Sequence, residues 1–149
     1  MPIKSFRGKL ADGGIDKVVL HTNTGSTGYK ITKFQLFAPD PGNSTQESVV
    51  KIYKIPQTTT TATVDFSDNT MLASAYYKDN SSDANPTSFV VVFDNEIFNQ
   101  DIYITCNDPG AGTNESMNYY IELETVKLSL DENTVATLKD IRNIEAQNV

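Results

Sequence analysis

His21 is the only histidine of the chain, and so the one side chain whose ordinary pKa lies near neutrality. As a general base it needs a nucleophile and an orienting carboxylate within hydrogen-bond reach. Serines and carboxylates abound, but no nucleophile elbow or other triad signature marks any of them. We read His21 as a strand-end residue. The stretch Asn23-Thr24-Gly25-Ser26-Thr27-Gly28 looks like a phosphate-cradling loop. It lacks the Lys-Ser/Thr ending, and a β run follows it, so no helix N-terminus would face an anion. It reads as a turn. Asp79-Asn80-Ser81-Ser82-Asp83 spaces oxygen ligands as a calcium loop does. Ala84 stands where that loop needs glycine, and Val90 where it needs its bidentate carboxylate. Asp65, Asp68 and Asn69, and separately Asp94, Asn95 and Glu96, form compact acidic turns that fit either a calcium site between loops or plain Asx-turns. Glu122 and Glu124 share one face of a strand, about 7 Å apart, a separation loosely suited to glycoside hydrolysis. The chain has no Trp to stack on a sugar, and the pair reads as a solvated strand face. One histidine and one cysteine, Cys106, exclude a multi-histidine metal site, a cysteine-rich zinc module and an internal disulfide. The expectation is a chain without a cofactor, and not an enzyme.

Length and charge narrow the classes further. The 149 residues (16.4 kDa) fit one domain with a sizeable core. A net charge of -7 argues against a duplex nucleic-acid binder, which needs a clustered basic footprint. The longest apolar stretch, Phe89-Val90-Val91-Val92-Phe93, is far short of a membrane helix. The N-terminus has no apolar run of signal-peptide length. The three sequons at Asn43, Asn80 and Asn114 follow from a composition rich in Asn, Ser and Thr.

The dominant pattern is short β runs between turn-forming clusters. Strands are expected at 4–10, 17–22, 29–38, 48–55, 61–65, 72–77, 89–93, 102–106 and 118–128. Alternation slips once, at Lys33-Phe34, which predicts a bulge. This spacing predicts an all-β fold, an antiparallel β-sandwich spanning residues 1–130, of jelly-roll or immunoglobulin-like type, with the strand count and the wide loops favouring the jelly roll. Residues 131–149 depart from the pattern. Asp131 or Asn133 can cap a helix, and Val135, Leu138, Ile141 and Ile144 form one apolar stripe. A short C-terminal amphipathic helix or arm is expected there, stable only if its stripe docks.

Charge is unevenly spread, with +4 in residues 1–60, -10 in 61–126 and -1 in 127–149. Such complementary parts suit contact between copies or docking on a charged scaffold. The residues expected to make contacts are Lys4, Arg7 and Lys9 near the N-terminus and Leu138, Ile141 and Ile144 in the arm. In Tyr76-Tyr77 and Tyr119-Tyr120 one ring of each pair must face out. Tyr77 and Tyr120 are taken as the exposed anchors.

Several segments carry a family resemblance. They are Ile3-Lys4-Ser5-Phe6-Arg7-Gly8-Lys9-Leu10-Ala11-Asp12-Gly13-Gly14, Gly25-Ser26-Thr27-Gly28-Tyr29-Lys30-Ile31 with Lys33-Phe34-Gln35, and Val64-Asp65-Phe66-Ser67-Asp68-Asn69-Thr70. Phe93-Asp94-Asn95-Glu96-Ile97-Phe98-Asn99-Gln100-Asp101-Ile102 and Asn118-Tyr119-Tyr120-Ile121-Glu122-Leu123-Glu124, with Thr137-Leu138-Lys139-Asp140-Ile141-Arg142, extend it. Together they resemble small virion structural proteins of marine tailed bacteriophages. The resemblance implies a capsid decoration, or cement, protein on the virion exterior, assembled in the bacterial cytoplasm. Its implied partners are the major capsid protein and further copies of itself, without nucleic acid or membrane. A neck, tail or fibre-base component is the alternative within the particle. A carbohydrate-binding attachment module is a third reading, weakened because loops 79–86 and 107–114 hold no aromatic residue.

Overall fold

The computed structural model describes residues 2–22, 25–40, 46–79, 87–93, 95–109 and 116–129. Eight strands run through them: β1 (Ile3–Leu10), β2 (Ile15–Val18), β3 (Thr27–Phe37), β4 (Gln46–Tyr53), β5 (Met71–Asp79), β6 (Thr87–Val92), β7 (Ile102–Asn107) and β8 (Met117–Lys127). They form a three-stranded sheet, β1-β8-β3, and a five-stranded sheet, β2-β7-β4-β5-β6, antiparallel at every ladder. The fold is a β-sandwich, as the spacing of the β runs predicts.

Period-two alternation decides what lies between the sheets. The small sheet turns Ile31, Phe34, Met117, Tyr119, Ile121 and Leu123 inward. The large sheet answers with Val50, Ile52, Ala73, Ala75, Ile102, Ile104 and Cys106. Burying each large aliphatic side chain here contributes about 1.5–3 kcal/mol. Cys106 is a free thiol with no solvent exposure. Burial, with Asp12 and Asp108 adding negative potential, pushes its pKa up to about 12, so it stays protonated and unreactive.

The bulge lies one residue earlier than expected, at Thr32, where β3 slips against β8 between Ile31 and Lys33. The run at 61–65 is not a strand. Residues 54–70 instead lie over the outer face of the large sheet. There the buried Lys51 donates from Nζ to Thr61 Oγ1 (3.2 Å) and to the Thr63 carbonyl (2.6 Å). β-branched threonines suit a strand in isolation, but here a buried ammonium claims their oxygens. Asp65 and Asp68 fold back as Asx-turns, accepting from Ser67 N–H (3.0 Å) and Thr70 N–H (2.9 Å). The expected helix at 131–149 lies outside the described residues.

The pairing is nested: β1 with β8, β2 with β7, β4 with β5. A jelly roll built from one long folded hairpin also needs β3 paired with β6. Among the described residues that ladder is not formed. β3 and β6 end different sheets, and on this side β3 makes a single bridge, Tyr29 to Phe98, with N···O distances of 2.7 and 3.0 Å. Extending that antiparallel register would set Phe37 opposite Val90. Instead β6 pairs with β5, and the seam between β3 and β6 stays open.

A glycine fixes the opposite edge. Gly8 sits across from Tyr119 in the β1–β8 ladder, and a Cβ there would stand 2.6 Å from Tyr119 Oη. The ring lies across β1 and donates to Asp16 Oδ2 of β2 at 2.8 Å, tying the two sheets together. Burial and that carboxylate raise the Tyr119 pKa, so the phenol keeps its proton. Gly8→Ala is expected to lower the unfolding free energy by ~1–3 kcal/mol, and by less in a Tyr119→Leu background. Urea denaturation of both pairs checks this. An equal cost in the two backgrounds would contradict it.

Candidate interaction surface

Of the residues singled out in the sequence, three converge. Arg7 and Lys9 project from the outer face of β1, and the register places Arg7 beside Tyr120 and Lys9 beside Asn118 on β8. β3 brings Gln35 to the other side of Tyr120 and Phe37 beside Asn118. With Leu36, Ser88 and Val90 these residues line a groove of about 830 Å³. The groove therefore opens at the seam where β3 and β6 fail to pair. Its lining carries two cations and no carboxylate. Phe37 is 69 % exposed there. Tyr120 is half-buried, with Lys33 Nζ 5.8 Å from its ring centroid. Its hydroxyl donates to Glu122 Oε1 at 2.7 Å, which raises its pKa.

The remaining expected contact residues fall elsewhere. Lys4 shares the strand but not the face: it pairs with Leu123, and its Nζ lies 5.7 Å from the Tyr29 ring. Tyr77 is not exposed. It is in phase with Ala73 and Ala75, points into the core and is buried, its hydroxyl 3.4 Å from Asp79 Oδ2. Tyr76 is the outward ring of that pair, half-buried, bonded to Glu47 Oε2 (2.8 Å) and stacked on Phe89. Leu138, Ile141 and Ile144 lie outside the described residues.

The carboxylate pair on β8 is engaged in ordinary surface contacts. Glu122 accepts from Tyr120, and Glu124 lies 3.7 Å from Lys30 Nζ. His21 departs from expectation, because the structure does supply an orienting carboxylate. Its Nδ1 lies 2.7 Å from Asp101 Oδ1, which also accepts the backbone N–H groups of Leu20 (2.8 Å) and His21 (3.0 Å). Eighty residues separate the two, and no local pattern signals such a contact. Lys17 Nζ, 3.5 Å from Asp101 Oδ2, completes the cluster. These bonds fasten the end of β2 to the start of β7.

Sequence reasoning missed the character of β6. Its apolar run, Phe89 to Val92, is not a buried strand but the exposed edge of the large sheet. Phe89 is 65 % exposed, and Val90 and Val91 are each 40 % exposed. A charge-free apolar edge beside a basic, aromatic groove is a surface suited to another protein. No family model and no curated protein matches the sequence.

The Asp101 contacts predict a pH dependence. Burial alone would raise its pKa, but the hydrogen bonds from His21 and Leu20 outweigh it and bring Asp101 down to about 2. The folded value lies below the unfolded one, near 3.9. The contribution is therefore present above pH ~4 and lost as pH falls toward about 2. Asp101→Asn is expected to be less stable than the natural protein at neutral pH, with the gap narrowing through this window. Urea midpoints at stepped pH measure it, and a gap independent of pH would contradict it.

Proposed function

We propose that this chain is a non-enzymatic structural protein of a phage virion that docks on major capsid subunits and reinforces the shell. The observation that carries the reading is the convergence of Arg7, Lys9 and Tyr120 in the seam groove, with Phe37 and Val90 beside them. Arginine and tyrosine are the side chains on which interface binding energy concentrates. The groove is basic although the chain as a whole carries -7, so it favours an acidic surface on the capsid subunit. The resemblance to small virion proteins of marine tailed phages supplies the setting. A copy seated across a joint between capsid subunits adds buried area where internal pressure pulls, roughly 1,600 Å² for a standard interface. Repetition over the shell adds avidity.

Reversing both charges, Arg7→Glu with Lys9→Glu, is expected to weaken binding to shells stripped of this protein by ~10-fold or more. Both side chains are exposed, so the circular dichroism spectrum should not change. Binding of the natural protein should weaken as salt rises. Cosedimentation of protein with stripped shells reads both effects. Full binding by the charge-reversed protein would contradict the docking surface.

A further inference from the structure

β6 is a second surface with a different chemistry. Thr87, Ser88, Phe89, Val90, Val91 and Val92 include no charge and no proline, and the ladder to β5 runs without a bulge. Among the described residues β5 is its only ladder neighbour, so the far side of β6 turns its backbone N–H and C=O groups outward. Soluble proteins ordinarily protect such an edge with lysine, proline or a bulge. β6 has none of these. Its outer face continues into Phe93, which Phe66 meets edge-on at 5.4 Å, and Phe66 is itself 55 % exposed.

We propose that β6 is a self-association edge, occupied by β6 of a second copy in antiparallel pairing. This rests on the reading of the chain as an assembly subunit. The sequence of the strand is self-complementary. A two-fold axis at Val90 sets Phe89 opposite Val91 of the second copy, twice, and Val90 opposite its own equivalent. Aromatic and β-branched residues make favourable cross-strand pairs, and the isologous contact closes on itself as a dimer. The result is one ten-stranded sheet running through two sandwiches. Electrostatics favour a second copy at this place. Two chains of charge -7 repel, and β6 offers a contact that brings no like charges together.

The exposed parts of Phe89, Val90, Val91 and Phe66 amount to roughly 350 Å² per copy. With the strand backbones this approaches the lower end of stable interfaces, on the order of 1,000 Å² in total. Ser88 and Val90 also line the groove. Pairing therefore takes up the β6 wall of the groove and leaves the wall formed by Arg7, Lys9 and Tyr120 for docking.

Sedimentation velocity on the full chain, between ~1 and ~200 µM and between ~50 and ~500 mM salt, tests this. The expected result is a monomer–dimer equilibrium that tightens as salt rises, the opposite of docking through the groove. Val91→Lys and Phe89→Glu, at exposed positions, should each raise the dissociation constant by ~10-fold or more with unchanged circular dichroism. A natural protein that stays monomeric throughout would overturn the proposal, as would a dimer indifferent to both substitutions. Protection of β6 amides from hydrogen exchange only when shells are added would also overturn it, by assigning the edge to a foreign strand. The two readings fail separately. A dimer that ignores shells contradicts the docking function, whereas a monomer that binds them contradicts this inference.

Discussion

Every backbone N–H and C=O of a strand needs a partner or water, and a sandwich of two open sheets leaves edges where that demand is unmet. In this chain the demand is concentrated on one side. β1 and β2 close the other side, where Tyr119 crosses from the small sheet to Asp16 on the large one. On the open side β6 pairs with β5 rather than β3, and the bridge between Tyr29 and Phe98 is what joins β3 to the chain leaving β6. The groove, the exposed apolar edge and the solvent-facing Phe37 all follow from that one pairing choice. If β3 and β6 were laddered along their length, the groove would be closed and Val90 would be covered.

Electrostatics then divide the open side into two surfaces. The outer face of the small sheet is mixed in charge along β8, where Glu124 meets Lys30 and Glu122 holds the Tyr120 hydroxyl. Toward Arg7 and Lys9 the carboxylates end and the groove becomes cationic. Next to it β6 is uncharged. Salt acts on these surfaces in opposite directions, screening attraction at one and repulsion at the other. Meanwhile the ionisable groups behind the surface are held by structure. Lys51, buried beneath the loop at 54–70, has its pKa lowered by burial against the opposing pull of Asp68, and the Cys106 thiol is sealed in the core.

How much of this was legible in the sequence depends on whether the signal was local. The alternation of β8 and the bulge in β3 are local, and both appear within a residue of where the pattern puts them. The rule that one ring of Tyr76-Tyr77 faces out is also local, but which ring is decided by the phase of Ala73 and Ala75 against the core. A run such as Phe89 to Phe93 reads equally as a buried strand or an exposed edge, because apolarity does not say how many neighbours a strand has. The His21–Asp101 contact and the meeting of Arg7 with Tyr120 join distant parts of the chain. Only the topology brings them together. The phage resemblance concerns partners, on which local patterning carries no information.

The central claim is that the open side, with its basic groove and charge-free edge, is where this protein meets its neighbours. Hydrogen–deuterium exchange of the full chain, free and bound to shells, tests it most directly. The account predicts slowed exchange in β1 around Arg7 and Lys9 and in β3 around Phe37 on binding, with the His21–Asp101 end of the sandwich unchanged. Slowing confined to the His21–Asp101 end, with the groove strands exchanging as in the free protein, would contradict it.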